Sequence, residues 1–321
     1  MVWVLGLAGG GTRTVAIVAN EKGRVLGRGE SGPATQHTIG LASATSSIRT
    51  ATQAAIEDAG LVGPAITAAY FGLAGVDRLV DRQIMAGAIA SLGLTCRVQL
   101  DHDSCAALAG ATDGKPGVVI MADTGSIAFG EDAKGNRARA GGYGPLLGDE
   151  GSGYDIARKA LIASLRAEDG RGPATLLADR LRQRFLLERM TDLINLAYGN
   201  PAPLGRAEIA SLTSMVIEAA QEGDGIAREL LRVAGRELGL AGAAALQRLD
   251  WSGVSTIPVA GTGSVFSAGN LLTLPMQQVI RSQWPQVHFM APRHTAAYGA
   301  VLLALRSLGI TLEDSPGERN H

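Results

Sequence analysis

The chain begins with three short apolar runs that are separated by turn-forming residues. Two of these runs, 2–7 and 15–18, flank the sequence Gly9-Gly10-Gly11-Thr12-Arg13-Thr14, and a third run covers 24–29. Short apolar runs bounded by glycines are typical of buried strands. The pattern therefore predicts a strand, a tight glycine turn and a second strand, followed by a third strand.

Longer amphipathic segments alternate with further apolar runs up to residue 100. A polar loop, 31–38, precedes them, and helical periodicity over 43–59 ends at Gly60, a favoured C-terminal cap. The remaining segments are a strand at 65–73, a helix at 79–92 and a strand at 96–100. Strands that alternate with helices predict an α/β fold whose sheet is at least partly parallel.

The pattern starts again after the turn-rich segment 111–117, which is the best domain boundary by composition. A buried strand at 117–122, a turn at 123–126 and a strand at 127–130 repeat the plan of residues 2–18. This repetition indicates an internal duplication. The rest of the chain predicts helices at 152–165, 174–197 and 206–247, strands at 256–260 and 287–290, and a final helix from Thr295.

Composition narrows the class of protein. The 321 residues are 46% hydrophobic and 18% charged, so disorder is not expected, and a net charge of −1 argues against a dedicated nucleic-acid binder. The only cysteines, Cys96 and Cys105, exclude a disulfide framework and suggest buried thiols in a reducing compartment. Because no basic leader or long apolar run is found, we expect a cytoplasmic protein without membrane contact.

The first glycine turn offers groups that suit a phosphate. Gly10 and Gly11 leave backbone N–H groups accessible, Thr12 and Thr14 add hydroxyls, and Arg13 adds positive charge. An ordinary glycine-rich β-turn explains the same residues, so both interpretations stay open at this point. Neither a Walker loop nor a Rossmann fingerprint is present.

Polar residues follow the strand at 96–100. The sequence Asp101-His102-Asp103-Ser104 stands where parallel sheets bind ligands, and Asp103 is a candidate general base toward a substrate hydroxyl. The alternative is a helix cap, provided by Asp101 or Ser104. In the loop 31–38, Gln36 and His37 suit a small polar ligand or simply a solvated surface.

Two more glycine-rich segments follow in the second half. One runs from 140 to 154 with Gly142, Tyr143 and Asp149, and opens a helix. The other, 261–266, follows a strand and is suited to close approach of the backbone to a flat ligand. A long structural turn and a plain strand–helix connection are the respective alternatives.

Taken in order, these motifs resemble the N-acetylglucosamine kinase and BadF/BadG/BcrA/BcrD-type ATPase family, within the actin–hexokinase–heat-shock-ATPase superfamily. The resemblance covers about 3–305, and an archaeal broad-specificity hexokinase looks similar. The motifs that carry it are Gly9 to Thr14, His102-Asp103, Thr124-Gly125-Ser126, Gly142-Tyr143-Gly144, Gly148 to Ser152, and Gly261 to Phe266.

The resemblance implies two ribonuclease-H-like, actin-like ATPase domains around a cleft. The first domain, 1–113, would hold the first phosphate loop, the sugar loop and the catalytic aspartate. The second, 114–305, would hold the second phosphate loop, the adenosine site and a helical insertion. The last helix, 295–308, is expected to pack back on the first domain, and 309–321 to form a polar, frayed tail.

The resemblance also implies an ATP-dependent kinase acting on a hexose or amino sugar at its 6-hydroxyl. Asp103 would be the catalytic base. ATP and its phosphates would contact Gly10, Gly11, Thr12, Arg13, Thr14, Thr124, Gly125, Ser126, Gly261, Thr262, Gly263 and Ser264. The sugar would contact Gln36, His37, Asp103, Thr124, Gly142, Tyr143 and Asp149. A homodimer is common among similar kinases.

Two departures from the family pattern concern the metal. The acid expected before the first glycine run is Ala8, and the glycine expected at the start of the second loop is Asp123. One hypothesis is that Asp123 has taken over the role of holding Mg²⁺ through water. The rival is a non-catalytic sugar- or nucleotide-binding sensor. A dehydratase-activator ATPase is a third class, but Cys96 and Cys105 do not match its iron–sulfur pattern.

Overall fold

The computed structural model describes residues 2–61, 65–199, 204–312 and 315–317. Its contacts divide the chain into two compact units, Met1–Val119 with Met290–His321, and Ile120–Phe289. Sequence analysis placed the domain boundary after 113 and ended the second domain at 305. The division seen in the structure falls later than 113 and assigns the last helix to the first unit.

The first unit contains a mixed five-stranded sheet. Its order is β3-β2-β1-β4-β5, and β1 pairs antiparallel with β2 and parallel with β4. This arrangement confirms the partly parallel sheet expected from the sequence. The strands are β1 (Trp3–Gly9), β2 (Thr14–Asn20), β3 (Val25–Ser31), β4 (Ala68–Leu73) and β5 (Arg97–His102).

Four helices follow these strands in the first half of the chain. Helix α2 buries Ile48 and Ala51 against one face of the sheet, where Leu5, Leu7 and Phe71 lie in the same apolar cluster. The helices are α1 (Gln36–Ile39), α2 (Leu41–Asp58), α3 (Leu79–Ala90) and α4 (Asp103–Thr112). The short α1 was predicted as part of a polar loop, and a four-residue helix without buried residues leaves no apolar periodicity to detect.

The second sheet has the same strand arrangement as the first. Its order is β10-β9-β6-β7-β8. The strand that comes first in the chain, β6, is central, with β7 and β8 on one side and β9 and β10 on the other, as β1 has β2 and β3 on one side and β4 and β5 on the other. The strands are β6 (Gly117–Ala122), β7 (Ser126–Glu131), β8 (Arg137–Gly141), β9 (Ile257–Thr262) and β10 (Val287–Met290). Two sheets with equivalent orders agree with the duplication inferred from the repeated strand–turn–strand pattern.

In the second unit, most residues between β8 and β9 and between β9 and β10 are helical. The long helix α10 begins after the cap Asp224, whose side chain accepts a hydrogen bond from the Ala227 N–H at 2.8 Å. The helices are α5 (Gly153–Glu168), α6 (Leu176–Phe185), α7 (Leu193–Tyr198), α8 (Arg206–Ser211), α9 (Thr213–Gln221), α10 (Gly225–Gln247) and α11 (Asn270–Gln283). The segment predicted as helical over 206–247 therefore forms three helices, α8, α9 and α10.

The last helix, α12 (Ala296–Ser307), completes the first unit by packing on α4 and β1. Its cap is Thr295, whose hydroxyl accepts from the Tyr298 N–H at 3.3 Å. Gly299 faces the backbone of α4, and Gly6 of β1 faces the backbone of α12 so closely that a Cβ atom would lie 2.7 Å from Ala297 O. The glycines at these positions therefore allow the helix to pack closely on α4 and β1.

Part of the predicted frayed tail contacts the first unit. Ser315 Oγ donates to Asp113, and it lies 2.6 Å from Nε2 of His294. The Gly317 N–H donates to the Tyr298 hydroxyl at 3.3 Å. Residues 313–314 and 318–321 of that tail lie outside the described residues. Over the described ranges, none of the helices combines the length and apolar character needed to cross a bilayer.

Candidate active site

The first glycine turn connects β1 to β2 and leaves space beside its backbone. The Gly10 N–H donates to Arg13 O at 3.1 Å, and Gly10 O accepts from the Ala34 N–H at 3.0 Å. No atom lies within 4 Å of where a Cβ atom would stand on Gly10 or Gly11. Thr12 and Arg13 are exposed. The turn therefore exposes glycine backbone, the Thr12 hydroxyl and the Arg13 guanidinium to solvent. This combination suits an anion.

Thr14 has a different position from Thr12. It is fully buried, and its hydroxyl donates to Gly32 O at 2.7 Å. Thr14 also pairs with Ser31 in the β2–β3 ladder. Its hydroxyl proton therefore holds the turn to the strand beside it.

The candidate base, Asp103, is the first residue of α4, directly after β5. The cap of this helix is His102, whose Nδ1 lies 3.3 Å from the Ser104 N–H. The predicted caps, Asp101 and Ser104, were wrong: Asp101 Oδ1 instead accepts from Arg82 Nη2 at 2.9 Å, and Ser104 lies inside the helix. Asp103 sits in the first turn, where the helix dipole favours a negative charge.

Burial and charge act in opposite directions on Asp103. Its side chain is 19% exposed, and Oδ1 lies 3.0 Å from His102 Nδ1. Burial raises the pKa of Asp103 above the ordinary aspartate value, His102 opposes this rise, and the carboxylate of Asp77 adds to it. A raised pKa brings a carboxylate closer to the range in which it accepts a proton effectively.

Gln36 and His37 lie on α1, and a buried carboxylate holds both side chains. Asp81 of α3 is 6% exposed; its Oδ1 accepts from Gln36 Nε2 at 3.2 Å and lies 3.2 Å from His37 Nε2. Its Oδ2 accepts from Arg78 Nε at 2.6 Å. Sequence analysis missed Asp81. Its signal is an acid in the first turn of α3, which by itself is indistinguishable from a favourable helix-dipole residue.

The position of Ala8 is defined by the ladder of the first sheet. Ala8 of β1 pairs with Gly72 of β4, and Gly72 pairs with Asp101 of β5. Residues in register on parallel strands share a face, so Ala8 and Asp101 lie on the same face, two strands apart. Val15 of β2 and Glu30 of β3 continue this row on the other side of β1, so Asp101 and Glu30 both lie two strands from Ala8. Each is already paired, Asp101 Oδ1 with Arg82 and Glu30 Oε1 with Arg28.

In the second unit, the loop between β6 and β7 is the counterpart of the first glycine turn. The Asp123 N–H donates to Gly125 O at 2.8 Å, which closes the turn around Thr124. Ser126 is 8% exposed, and its hydroxyl donates to Glu150 O at 2.7 Å. The hydroxyl proton of Ser126 thus supports the loop from behind.

The segment after β9 lies against this loop within the second unit. Ser264 Oγ donates to Asp123 Oδ1 at 2.5 Å. Gly263 has φ +109°, and a Cβ atom there would collide with Ala122, so only glycine allows this approach. A short 3-10 helix, Ser264–Ala268, lies between β9 and α11, in the segment that the sequence predicted as a glycine-rich turn after a strand. The ring of Phe266 covers Gly261.

The glycine-rich segment before α5 surrounds Asp149. This residue is 3% exposed and has φ +60°; its Oδ1 accepts from the Gly144 N–H at 3.2 Å, and its Oδ2 pairs with Arg206 of α8. Burial raises the pKa of Asp149, and the Arg206 cation opposes the rise. A Cβ atom on Gly125 would stand 2.9 Å from Asp149 Oδ2, so this pair borders the loop between β6 and β7.

Tyr143 stands out from the same segment. Its side chain is 59% exposed, and the Arg139 guanidinium lies over its ring, 5.2 Å from the centroid. Gly142 has φ +73° and packs against Ile127. Sequence analysis identified Gly142, Tyr143 and Asp149 but missed Arg206, because nothing in the sequence of α8 links it to a residue so far away in the chain.

Each unit therefore carries a glycine turn between its first two strands, and each sheet has the same strand order. The first unit adds a carboxylate at the start of a helix, and the second adds a buried carboxylate beside its turn. Together with the duplicated topology, these features define a two-domain α/β protein of the actin-like ATPase class.

The chain belongs to the BadF/BadG/BcrA/BcrD ATPase family, whose model matches residues 5–304. It is 32% identical over 307 residues to an N-acetylmuramic acid/N-acetylglucosamine kinase from Clostridium acetobutylicum, covering 95% of this chain and 98% of the relative. It is 30% identical over 312 residues to an N-acetyl-D-glucosamine kinase from Dictyostelium discoideum, covering 94% and 98%. A crystal structure of a candidate N-acetylglucosamine kinase from Chromobacterium violaceum is similar, with a TM-score of 0.74, 28% identity and coverage of 95% and 99%.

Proposed function

We propose that this chain is an ATP-dependent kinase that phosphorylates an amino sugar, with N-acetylglucosamine as the first substrate to test, at the 6-hydroxyl. The observation that carries the proposal is the position of Asp103: a mostly buried carboxylate at the carboxyl end of β5, next to the His102 imidazole, with a raised pKa. Relatives that match nearly the whole chain are named as amino-sugar kinases, which favours this function over a non-catalytic sensor.

In the proposed reaction, the oxygen of the sugar hydroxyl attacks the γ-phosphoryl group of ATP, and Asp103 accepts the proton of that hydroxyl. The backbone of Gly10 and Gly11, with Thr12 and Arg13, holds phosphate oxygens from the first unit. Thr124 and Gly125 are proposed to hold phosphate oxygens as well. Fixed N–H groups and cations directed at the phosphates stabilise the charge that develops during transfer. Gly261 to Ser264 are assigned to adenosine.

Sugar contacts are proposed for Gln36, His37, Thr124, Gly142, Tyr143 and Asp149. Asp81 accepts a hydrogen bond from Gln36, and Asp149, itself one of this set, accepts one from the Gly144 N–H. Thr14 and Ser126, which sequence analysis placed at the phosphates, are proposed to support their loops, because their hydroxyls donate to backbone carbonyls.

The function is tested by measuring ATP consumption with N-acetylglucosamine, N-acetylmuramic acid, glucosamine and glucose in the presence of Mg²⁺. We expect sugar-dependent ADP formation with at least one amino sugar, and a 6-phosphate product by NMR. Nucleotide and sugar binding without turnover on any sugar would support the sensor instead. A product phosphorylated at another hydroxyl would leave the kinase but overturn the 6-hydroxyl assignment.

Asp81 provides a prediction for sugar affinity. Replacing it by Asn removes the charge that orients Gln36 and His37, so the sugar KM is expected to rise about tenfold, equivalent to about 1.4 kcal/mol, with kcat and the ATP KM nearly unchanged. Steady-state kinetics with each substrate varied in turn measure this. Asp58→Asn, a change of an exposed carboxylate at the end of α2, is the control. An unchanged sugar KM in Asp81→Asn would contradict the positioning role.

We also propose that Asp123 helps to hold Mg²⁺ through water. The described residues contain no group of three His, Cys, Asp or Glu side chains that would hold a metal directly. Mg²⁺ usually keeps several waters and takes one or two carboxylates plus the phosphates of its nucleotide, so an exposed acid on a candidate phosphate loop fits. Asp123 Oδ1 accepts from Ser264, and this carboxylate would hold the ion through water. When bound, the ion would neutralise charge on the phosphates.

Asp123→Gly, which restores the residue usual in the family, is expected to lower kcat about 10- to 100-fold and to raise the Mg²⁺ concentration needed for half-maximal rate, since groups of the outer metal shell typically contribute this much. Adding Ala8→Asp to this variant should recover part of both losses. Asp169→Gly, which removes an exposed carboxylate at the end of α5, is the control. Identical Mg²⁺ titrations for Asp123→Gly and the unmodified enzyme would refute the assignment.

A further inference from the structure

His102 and Asp77 are the side chains around Asp103 whose purpose the reaction scheme leaves open. Asp77 follows β4, and His102 is the last residue of β5. The two strands are parallel, with Leu73 in register with His102, so both side chains belong to the same edge of the sheet. Asp77 Oδ2 lies 3.5 Å from His102 Nε2, and Asp103 Oδ1 lies 3.0 Å from His102 Nδ1. One imidazole therefore stands between two carboxylates.

Three contacts meet at Nδ1 of His102. Ser104 Oγ lies 2.7 Å from it, Asp103 Oδ1 3.0 Å and the Ser104 backbone nitrogen 3.3 Å. In a neutral ring, the Nδ1 lone pair accepts from Ser104 and caps α4. In a doubly protonated ring, Nδ1 donates to Asp103 and Nε2 donates to Asp77, and both contacts join opposite charges. Only this second form donates to both carboxylates at once.

From this geometry we infer that the Asp77–His102 pair positions the catalytic base, by fixing Oδ1 of Asp103 through an imidazole that Asp77 orients from its other side. This inference rests on the proposed kinase reaction. It leaves Oδ2 of Asp103 as the atom that accepts the hydroxyl proton. His102 and Asp77 are thus positioning residues that act through Asp103 and touch neither substrate.

The same arrangement controls the charge of Asp103. The charged groups that face it are His102 from β5 and Asp77 from the segment after β4, while Arg82 of α3 is engaged by Asp101. Burial raises the pKa of Asp103, and His102 holds it below the value that burial alone would give. The interaction with His102 therefore extends, toward lower pH, the range in which Asp103 is ionised and able to act as a base.

The test compares His102→Asn with His102→Ala. Asn is a good helix cap, so it preserves the cap of α4 and removes the interaction of the imidazole with Asp103. We expect the acid limb of the kcat/KM profile to move to higher pH by about one unit in both variants, as an opposite charge near a carboxylate typically shifts its pKa by at least this much. At any fixed pH on that limb, kcat/KM should fall about tenfold, with the ATP KM unchanged.

A purely structural role gives a different result. If His102 only caps α4, His102→Asn should have the activity and pH profile of the unmodified enzyme, and His102→Ala should lose thermal stability without moving the acid limb. That outcome overturns the inference. His288→Asn, which changes an exposed histidine of β10, is the control for loss of a histidine elsewhere.

Asp77 is tested by a double-mutant cycle, which isolates coupling between neighbours. Asp77→Asn should lower kcat about threefold to tenfold in the otherwise unmodified enzyme and have no effect in the His102→Asn background, because it acts through the imidazole. An equal effect in both backgrounds would show that Asp77 acts without His102 and overturn the pair. If the unmodified enzyme phosphorylates no sugar at any pH, the proposed function fails, whereas an active enzyme indifferent to His102 refutes only this inference.

Discussion

Replacing Asp103 by Asn is expected to lower kcat by about 10³-fold, within the range of 10² to 10⁴ that general bases contribute. Asn preserves the size of the side chain and a hydrogen bond at the start of α4, but its amide cannot accept the proton of the sugar hydroxyl. Binding of ATP and sugar should change little, because the lost interaction belongs to the chemical step. Single-turnover kinetics, with the sugar Kd measured separately, test both parts.

Asp101→Asn is the matched control for this prediction. Asp101 lies two residues earlier, on β5, and its carboxylate accepts from Arg82 Nη2 and from the His102 N–H. Both donors contact Oδ1, so the Asn oxygen can accept from both, and kcat is expected to stay within about threefold of the unmodified enzyme. If Asp103→Asn turns over as fast as Asp101→Asn, Asp103 is not the base.

Replacing Gly299 by Ala is expected to destabilise the first unit by about 3 kcal/mol or more, at the upper end of overpacking costs. A Cβ atom on Gly299 would stand 2.9 Å from Gly110 Cα and closer still to Gly110 N and Ala106 O. These are backbone atoms of α4, so relief requires the whole helix to move. With a typical total stability of about 5–15 kcal/mol, such a loss is a large fraction of the whole.

Thermal unfolding followed by circular dichroism measures this effect, and we expect the first transition to fall by roughly 10 °C, at about 2–4 °C per kcal/mol for units of this size. Gly87→Ala is the control. Gly87 lies within α3, and no atom lies within 4 Å of where its Cβ would stand, so the change should be neutral or stabilising by about 1 kcal/mol. Equal melting temperatures for Gly299→Ala and the unmodified protein would mean that α12 does not rest on α4 as described.

The parts of the fold that sequence analysis predicted well are those with strong local signals. The three runs around the first glycine turn became β1 to β3, and the small residues after Thr295 became the face of α12 that meets α4. Asp103 was singled out because it stands three residues after the predicted strand 96–100, and the structure places it at the start of α4. In each case, neighbours in the sequence are also neighbours in the structure, so a local pattern is sufficient.

The parts that were missed depend on contacts between distant segments. Asp81 meets Gln36 across 45 positions, and Arg206 meets Asp149 across 57, and no spacing rule links such residues. The burial of Thr14 could not be separated from the exposure of Thr12, since both are threonines in one turn. The cap of α4 was misassigned because an imidazole is an unusual cap, whereas Asp and Ser are preferred ones.

The return of α12 to the first unit has a consequence for the order in which the protein is made. Residues 120–289 form a continuous segment, so the second unit has all of its sequence once that segment has left the ribosome. The first unit is translated earlier but lacks the helix that covers Gly6 and α4 until residues 296–307 appear. Until α12 is synthesised, the apolar sheet surface that this helix contacts stays exposed. Chaperones can bind such a surface, and it can promote aggregation. The unit that is synthesised first is therefore the one that completes its fold last.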